Sequence, residues 1–376
     1  MTRDHYFAVE EEFHSKDDRK LSRKERKLAV ETDRSKYKQS NLDQRKKQQE
    51  TIKNDESLFS KGQVLAINPE GIFVSSENNE WICQLKGSLK QEKNKVKNLV
   101  AVGDFVLFEP KDNRTGSICH ILQRSSILSR ADNLSRRKEQ LIAVNIDQVI
   151  ITCSVVMPAI KPHLVDRYII AAEKGNMTPI IVINKIDLLK EPSPEVDPIT
   201  FEVETHMYTE FIKAYDKLGI KTISISARTN EGLEELKGVM QGKTSVFSGQ
   251  SGVGKSSLIN AVTGSCLKTG LVVSKTNKGS HTTSSTHLVP LEGGGFCVDT
   301  PGIKSFGLWN IPPEELQQYY PEFVEFAIHC KFPNCAHLNE PICAVKQAVE
   351  ENQISELRFA SYCALMTSLS EEHRHR

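Results

Sequence analysis

No stretch of the chain stays apolar for eighteen residues, so the sequence predicts no membrane-spanning helix. The first residues are charged from Arg3 onward and lack the apolar core of a secretory leader, which predicts a cytoplasmic protein. Excess charge of either sign is missing too. Lys and Arg number 49 and Asp and Glu 48, a formal net charge of +1. A balance so close to zero excludes steering by the global field, and any contact with nucleic acid has to come from local patches. The nine cysteines are an odd number and suit a reducing compartment better than a disulfide framework. The 376 residues leave room for two or three domains.

Four short motifs stand out, in an unusual order. Asn184-Lys185-Ile186-Asp187 comes first and Ser226-Ala227-Arg228 second. Gly249-Gln250-Ser251-Gly252-Val253-Gly254-Lys255-Ser256-Ser257 follows, and Asp299-Thr300-Pro301-Gly302 is last. The third motif reads as a phosphate loop, with the apolar run 246–248 before it and an expected helix over 255–262 behind it. Glycines at 249 and 254 let backbone N–H groups converge on phosphate at a helix N-terminus. Lys255 is placed to reach the β- and γ-phosphates, and the Ser256 hydroxyl to ligate Mg²⁺.

The first two motifs point to guanine. Residues 179–183 read as a buried strand, and Asn184 to Asp187 sit at its C-terminal end, where open α/β sheets bind ligands. An ionised Asp187 accepts from guanine N1–H and the 2-amino group together, a donor pair that adenine lacks. Asn184 is expected to tie this loop to the phosphate loop, and the Lys185 stem to cover one face of the base. Ser226-Ala227, after the strand expected at 221–225, suits a backbone contact to guanine O6. In the last motif Asp299 is expected to hold Mg²⁺ through water, and the Gly302 N–H to report the γ-phosphate. Switch I belongs in 278–283, where Thr282 or Thr283 completes the Mg²⁺ shell, Thr283 being favoured. Ile303 stands where Ras-like enzymes place the glutamine that orients the attacking water. Slow hydrolysis by the chain alone is therefore expected, with His281 the nearest candidate for the missing group. All the parts of a G domain are present, entered in the middle.

A second cluster is Cys330, Cys335, His337 and Cys343. Three thiolates and an imidazole make the donor set of a closed structural zinc site, with Pro333, Asn334, Asn339 and Pro341 turning the chain between them. No coordination position is left for catalysis. One zinc is expected to support a small helical segment with little core of its own.

The remaining sequence sorts by texture. Residues 1–56 are charged, with basic tracts at 16–27 and 45–47, and bury too little apolar surface to fold alone. Short β-rich runs at 63–67, 72–75, 81–85, 105–108 and 117–122 suit an OB-type or SH3-like barrel over 57–127. Phe73, Trp81 and Lys86 there could stack on or neutralise RNA, although such aromatics are more often core. Strands and helices alternate over 138–308, with helices expected at 164–174, 211–218 and 233–240, which predicts a parallel sheet covered on both faces. Pro312-Pro313-Glu314-Glu315 opens a helical region over 309–376, whose last helix is expected at 354–369.

Together the motifs resemble the circularly permuted GTPases of bacterial small-subunit ribosome biogenesis, called RsgA or YjeQ. The resemblance runs from about residue 61 to the C-terminal helix. It includes Val102-Gly103-Asp104, Asn145-Ile146-Asp147-Gln148, the phosphate loop, the switch Gly279-Ser280-His281-Thr282-Thr283 and the zinc segment from Cys330 to His337. It implies an OB-fold β-barrel, a circularly permuted α/β P-loop GTPase domain and a small α-helical zinc-binding domain in series. It further implies a monomer that binds the 30S ribosomal subunit and its rRNA late in maturation and hydrolyses GTP to GDP when the subunit stimulates it. Ser280 departs from the Arg or Lys usual in the family, and the arm 1–56 is not part of the usual core. A second possibility is an rRNA-binding assembly module that keeps GTP as a structural ligand with little turnover. The complete Mg²⁺ set, Ser256 with Thr282 or Thr283 and Asp299, favours the enzyme.

Overall fold

The computed structural model describes residues 59–77, 79–87, 89, 99–131, 139–264, 286–299 and 311–374. The charged arm 1–56 lies outside them.

Five strands come first: β1 (Ser60–Asn68), β2 (Gly71–Ser76), β3 (Asn79–Leu85), β4 (Phe105–Pro110) and β5 (Thr115–Ile121). They pair in the order β1-β2-β3-β5-β4, and β4 returns to β1, closing a barrel. β3 and β5 run parallel while the hairpins run antiparallel, the arrangement of an OB-type barrel. Inward positions alternate along β1 and β2, so Val64, Ile72 and Val74 meet Cys83, Val106, Phe108 and Ile118 in the core. Trp81 packs on this core, its ring 5.4 Å from that of Phe108.

The hairpin β6 (Ile127–Ala131) and β7 (Glu139–Val144) leads out of the barrel. Two of the family-like motifs form the joint here. The Asn145 amide donates to Gly103 O at 2.9 Å and accepts from Ser125 N at 2.8 Å. Asp104, fully buried, takes two hydrogen bonds of 2.8 Å from the Arg124 guanidinium. A buried carboxylate is tolerated because it is paired.

The α/β part follows. Its elements are β8 (Gln148–Ser154), α1 (Pro162–Lys174), β9 (Thr178–Asn184), α2 (Pro198–Asp216), β10 (Thr222–Ser224), α3 (Leu233–Met240), β11 (Lys243–Gly249), α4 (Lys255–Thr263), β12 (His287–Pro290) and β13 (Gly295–Asp299). The sheet order is β10-β9-β8-β11-β13-β12, all parallel except β12. β8, buried at every residue, lies at the middle, as the two-faced burial of parallel sheets requires. Antiparallel pairing of Ala66 with His287 joins this sheet to the barrel, making eleven strands. α2 begins well before the expected 211. The Asp197 carboxylate caps it by accepting from Thr200 N at 3.0 Å, and Pro198 opens it. Its first turns expose Ile199 and Val203 to solvent, so they lack the amphipathic period that marks a helix in sequence.

From residue 311 the chain makes tight turns at Pro313–Tyr319 and Pro321–Phe323, then α5 (Ala344–Glu350) and α6 (Glu356–Arg374). Leu316, Tyr320, Phe323, Val345, Tyr362 and Leu365 form a separate core. α6 lies against α1, where Arg167 donates to Ser368 Oγ at 3.0 Å. Asp166 of α1 accepts hydrogen bonds from Tyr215 at 2.6 Å, Tyr320 at 3.2 Å, Arg358 and Ser361. Among the described residues, no helix is long and apolar enough to cross a membrane.

Candidate nucleotide and metal sites

β11 ends at Gly249, and α4 starts at Lys255. The turn between them needs glycine at both ends. Gly249 has φ +139° and Gly254 φ +96°. A Cβ on Gly249 would lie 2.0 Å from Thr152 O, and one on Gly254 2.2 Å from Asn184 Nδ2. The loop is thus held hard against the ends of β8 and β9. Val253 is buried as its anchor, while Ser251, Gly252, Ser256 and Ser257 are exposed and Gln250 is half-buried. Lys255 folds back over the loop, donating to Gly249 O at 2.8 Å and Gln250 O at 2.7 Å. The arrangement presents a cation and a helix N-terminus at one end of the sheet.

Asn184, at the end of β9, connects three loops. Its Nδ2 donates to Val253 O at 2.8 Å, and its Oδ1 accepts from Ala227 N at 3.0 Å. Asp187 is buried, with 8% of the residue exposed. Its carboxylate Oδ1 accepts from the Ser226 hydroxyl at 2.6 Å, and its Oδ2 meets Arg228 Nε at 2.9 Å. Ser226 Oγ in turn accepts from Thr229 N at 3.1 Å. Ile186 turns into the core, and its N–H donates to Ile225 O at 3.3 Å. Lys185 adopts φ +69° and donates to Met157 O. Burial pulls its amine below the usual lysine range, opposed by Asp187. Glu191, which meets Arg228 at 3.3 Å, extends the cluster beyond the motif residues.

β13 runs beside β11 with Val298 opposite Val246, so the backbone of Asp299 reaches the same sheet edge as the phosphate loop. His281, Thr282, Thr283, Gly302 and Ile303 lie outside the described residues.

The second cluster is drawn together as its spacing suggests. The ligand atoms of Cys330, Cys335, His337 and Cys343 all lie within 4.8 Å of one another. His337 Nδ1 is 3.2 Å from Cys343 Sγ and 3.6 Å from Cys330 Sγ. Its other nitrogen, Nε2, lies 3.0 Å from Gln317 Oε1, an acceptor that fixes the proton there and leaves Nδ1 free to ligate. Burial pulls the His337 imidazole down, favouring the neutral form that ligates metal. Burial also pushes the Cys335 thiol up to about 12. The Glu340 carboxylate accepts from Ala336 N at 2.8 Å and Leu338 N at 2.9 Å, shaping the turn between the ligands. Four donors of this softness, nearly in mutual contact, fit a tetrahedral metal ion. Neither Gln317 nor Glu340 carries a sequence signal of its own, because each acts through a fold contact.

A model of the RsgA GTPase family matches residues 121–309. The small ribosomal subunit biogenesis GTPase RsgA of Chlorobaculum parvum is 42% identical over 288 residues, covering 74% of this chain and 88% of that protein. Its namesake from Flavobacterium johnsoniae is 37% identical over 307 residues, covering 80% and 91%. The crystal structure of YjeQ from Thermotoga maritima superposes with a TM-score of 0.65 at 32% identity, covering 83% of this chain and 99% of that one. That of YloQ, a circularly permuted GTPase, gives 0.62 at 26% identity, covering 84% and 96%.

Proposed function

The chain belongs to the RsgA GTPase family and is a GTP-hydrolysing enzyme, and on that premise we propose that it is a nucleotide switch in late maturation of the 30S ribosomal subunit. The observation that carries the reading is Asn184. Its single amide binds the phosphate loop through Val253 and the Ser226-Ala227 loop through Ala227, so base and phosphate recognition share one support.

In this reading Asp187 accepts from guanine N1–H and the 2-amino group, Ala227 N–H meets O6, and Lys185 leaves Met157 to cover the base. Gly249 to Ser257 surround the phosphates, and Lys255 exchanges two backbone carbonyls for phosphate oxygens. Ser256, with Thr283 and Asp299, holds the Mg²⁺ that neutralises developing charge on the phosphates. Gly302 senses the γ-phosphate, and His281 orients water in place of the glutamine that Ile303 replaces. Zinc on Cys330, Cys335, His337 and Cys343 holds the fold of the C-terminal segment. The barrel and the basic arm contact rRNA.

Single-turnover hydrolysis with and without 30S subunits tests this directly. The subunit is expected to raise turnover by at least about tenfold, roughly 1.4 kcal/mol of barrier. His281→Ala should lower the stimulated rate while leaving GTP affinity nearly unchanged. Equal rates with and without subunits would remove the stimulated switch, and normal stimulated turnover in His281→Ala would move the catalytic group elsewhere.

A further inference from the structure

We propose that Arg228 is a positioning residue for guanine recognition, one that fixes the plane of the Asp187 carboxylate. This rests on the reading of Asp187 as the base reader. A carboxylate on a short stem turns easily about its last bond, where the torsional wells are broad. The hydrogen bond from Ser226 to Oδ1 restrains one oxygen and still allows rotation about that contact. Arg228 Nε on Oδ2, at 2.9 Å, restrains the other. Each carboxylate oxygen has two acceptor sites; the Ser226 hydroxyl takes one on Oδ1, the Arg228 ion pair lies against Oδ2, and acceptor capacity remains on both. Guanine presents two adjacent donors, which is the demand those remaining sites can meet when the plane is set in advance.

Arg228 is itself aimed. Its Nη2 lies 3.3 Å from Glu191 Oε2, and the Glu191 N–H donates to the Asp187 carbonyl at 3.0 Å. The planar guanidinium therefore spans two acids one helical turn apart, a geometry that suits its rigid fork of donors. Solvent limits the strength of the arrangement. The Arg228 side chain is 62% exposed and that of Glu191 80%. The carboxylate it serves is buried, however, so a weak contact at the surface controls a group whose orientation matters inside.

The test measures GTP and inosine triphosphate affinities of the full chain. Inosine lacks the 2-amino group, so the ratio of the two affinities reports how well the second donor is met. Arg228→Ala is expected to weaken GTP by about three- to fivefold, the scale of an exposed ion pair, and to narrow the GTP-to-inosine ratio by a similar factor. Glu191→Gln touches neither Asp187 oxygen and should shift both in the same direction by less. The double variant should do no more than Arg228→Ala alone. Tighter GTP binding in Arg228→Ala would show that the arginine competes with the base, and an unchanged ratio would show that it does not set the plane; either overturns the proposal. Asp187→Asn belongs in the same assay. If it leaves base preference unchanged, the reading of Asp187 falls and Arg228's role with it, whereas a changed preference there beside an unchanged ratio in Arg228→Ala rejects the arginine alone.

Discussion

Asp187 and Asp166 are surrounded by the same kinds of group in different settings. Each carboxylate receives a serine hydroxyl and an arginine, and each arginine reaches on to a glutamate: Ser226, Arg228 and Glu191 in one case, Ser361, Arg358 and Glu322 in the other. The side chain of Arg228 is 62% exposed and that of Arg358 4%. Around Asp166 the remaining sites are filled by Tyr215 and Tyr320, and the Arg358 guanidinium stacks 4.3 Å from the Tyr320 ring. Burial pushes the Asp166 carboxyl above the usual range, opposed first by the Arg358 charge and then by the hydrogen bonds from Ser361 and Tyr215. What differs is whether protein or solvent surrounds the cluster. Enclosed, it joins helices of the α/β part to the C-terminal segment; at an open loop end it leaves its arginine and glutamate in solvent.

Three changes would break or sharpen this contrast, beginning with the largest. Cys343→Ser, or stripping metal with a chelator, should unfold the C-terminal segment, because a structural zinc contributes on the order of 10 kcal/mol to so small a core. Elemental analysis should find one zinc per chain before and none after. Nucleotide affinity should largely survive, since the loops proposed to carry it rest on the cores around β8, β9 and β11. Zinc affinity should also fall as pH falls, because the thiols must lose protons to bind and Cys335 starts at about 12. An intact C-terminal segment in metal-free protein would defeat the assignment.

Next comes Asp187→Asn. It should exchange preference for GTP for xanthosine triphosphate, a discrimination of roughly 10⁴-fold, with little change in melting. GTP affinity within about threefold of the parent, far below that discrimination, would mean that Asp187 is not the reader.

The same substitution at the other aspartate, Asp166→Asn, should act the opposite way. It leaves Arg358 buried with Glu322 as its remaining acid, at a cost of about 3–5 kcal/mol of stability by denaturant unfolding. Guanine preference should stay as it was. If Asp166→Asn changed base preference, or Asp187→Asn chiefly lowered stability, the division between cement and recognition would collapse.

Much of the chemistry was legible because it is written in consecutive residues. The candidate phosphate loop has its glycines, lysine and serine in one turn, and the four candidate metal ligands fall between 330 and 343, so local spacing helps to bring them near one another. The barrel strands and the alternating α/β region were legible through periodicity, and their reversed motif order predicted the permuted sheet. Periodicity failed at the start of α2, where Asp197 and Pro198 cap a helix whose first turns face water.

Sequence by itself therefore determined which chemical groups the protein carries and which short loops hold them. Only the tertiary structure decided their partners. Asn184 finds Val253 across 69 residues and Ala227 across 43, Gln317 orients His337 from 20 residues away, and Arg358 finds Asp166 across 192. Arg228 has two acids within one turn of each other, and its choice of Asp187 Oδ2 follows from where β9 and the loop after β10 end. The physical reason is one of range. Backbone dihedrals and side-chain spacing act over a few residues and are visible in the chain. Burial and long-range hydrogen bonding depend on which segments the finished sheet places side by side, and no local pattern records that.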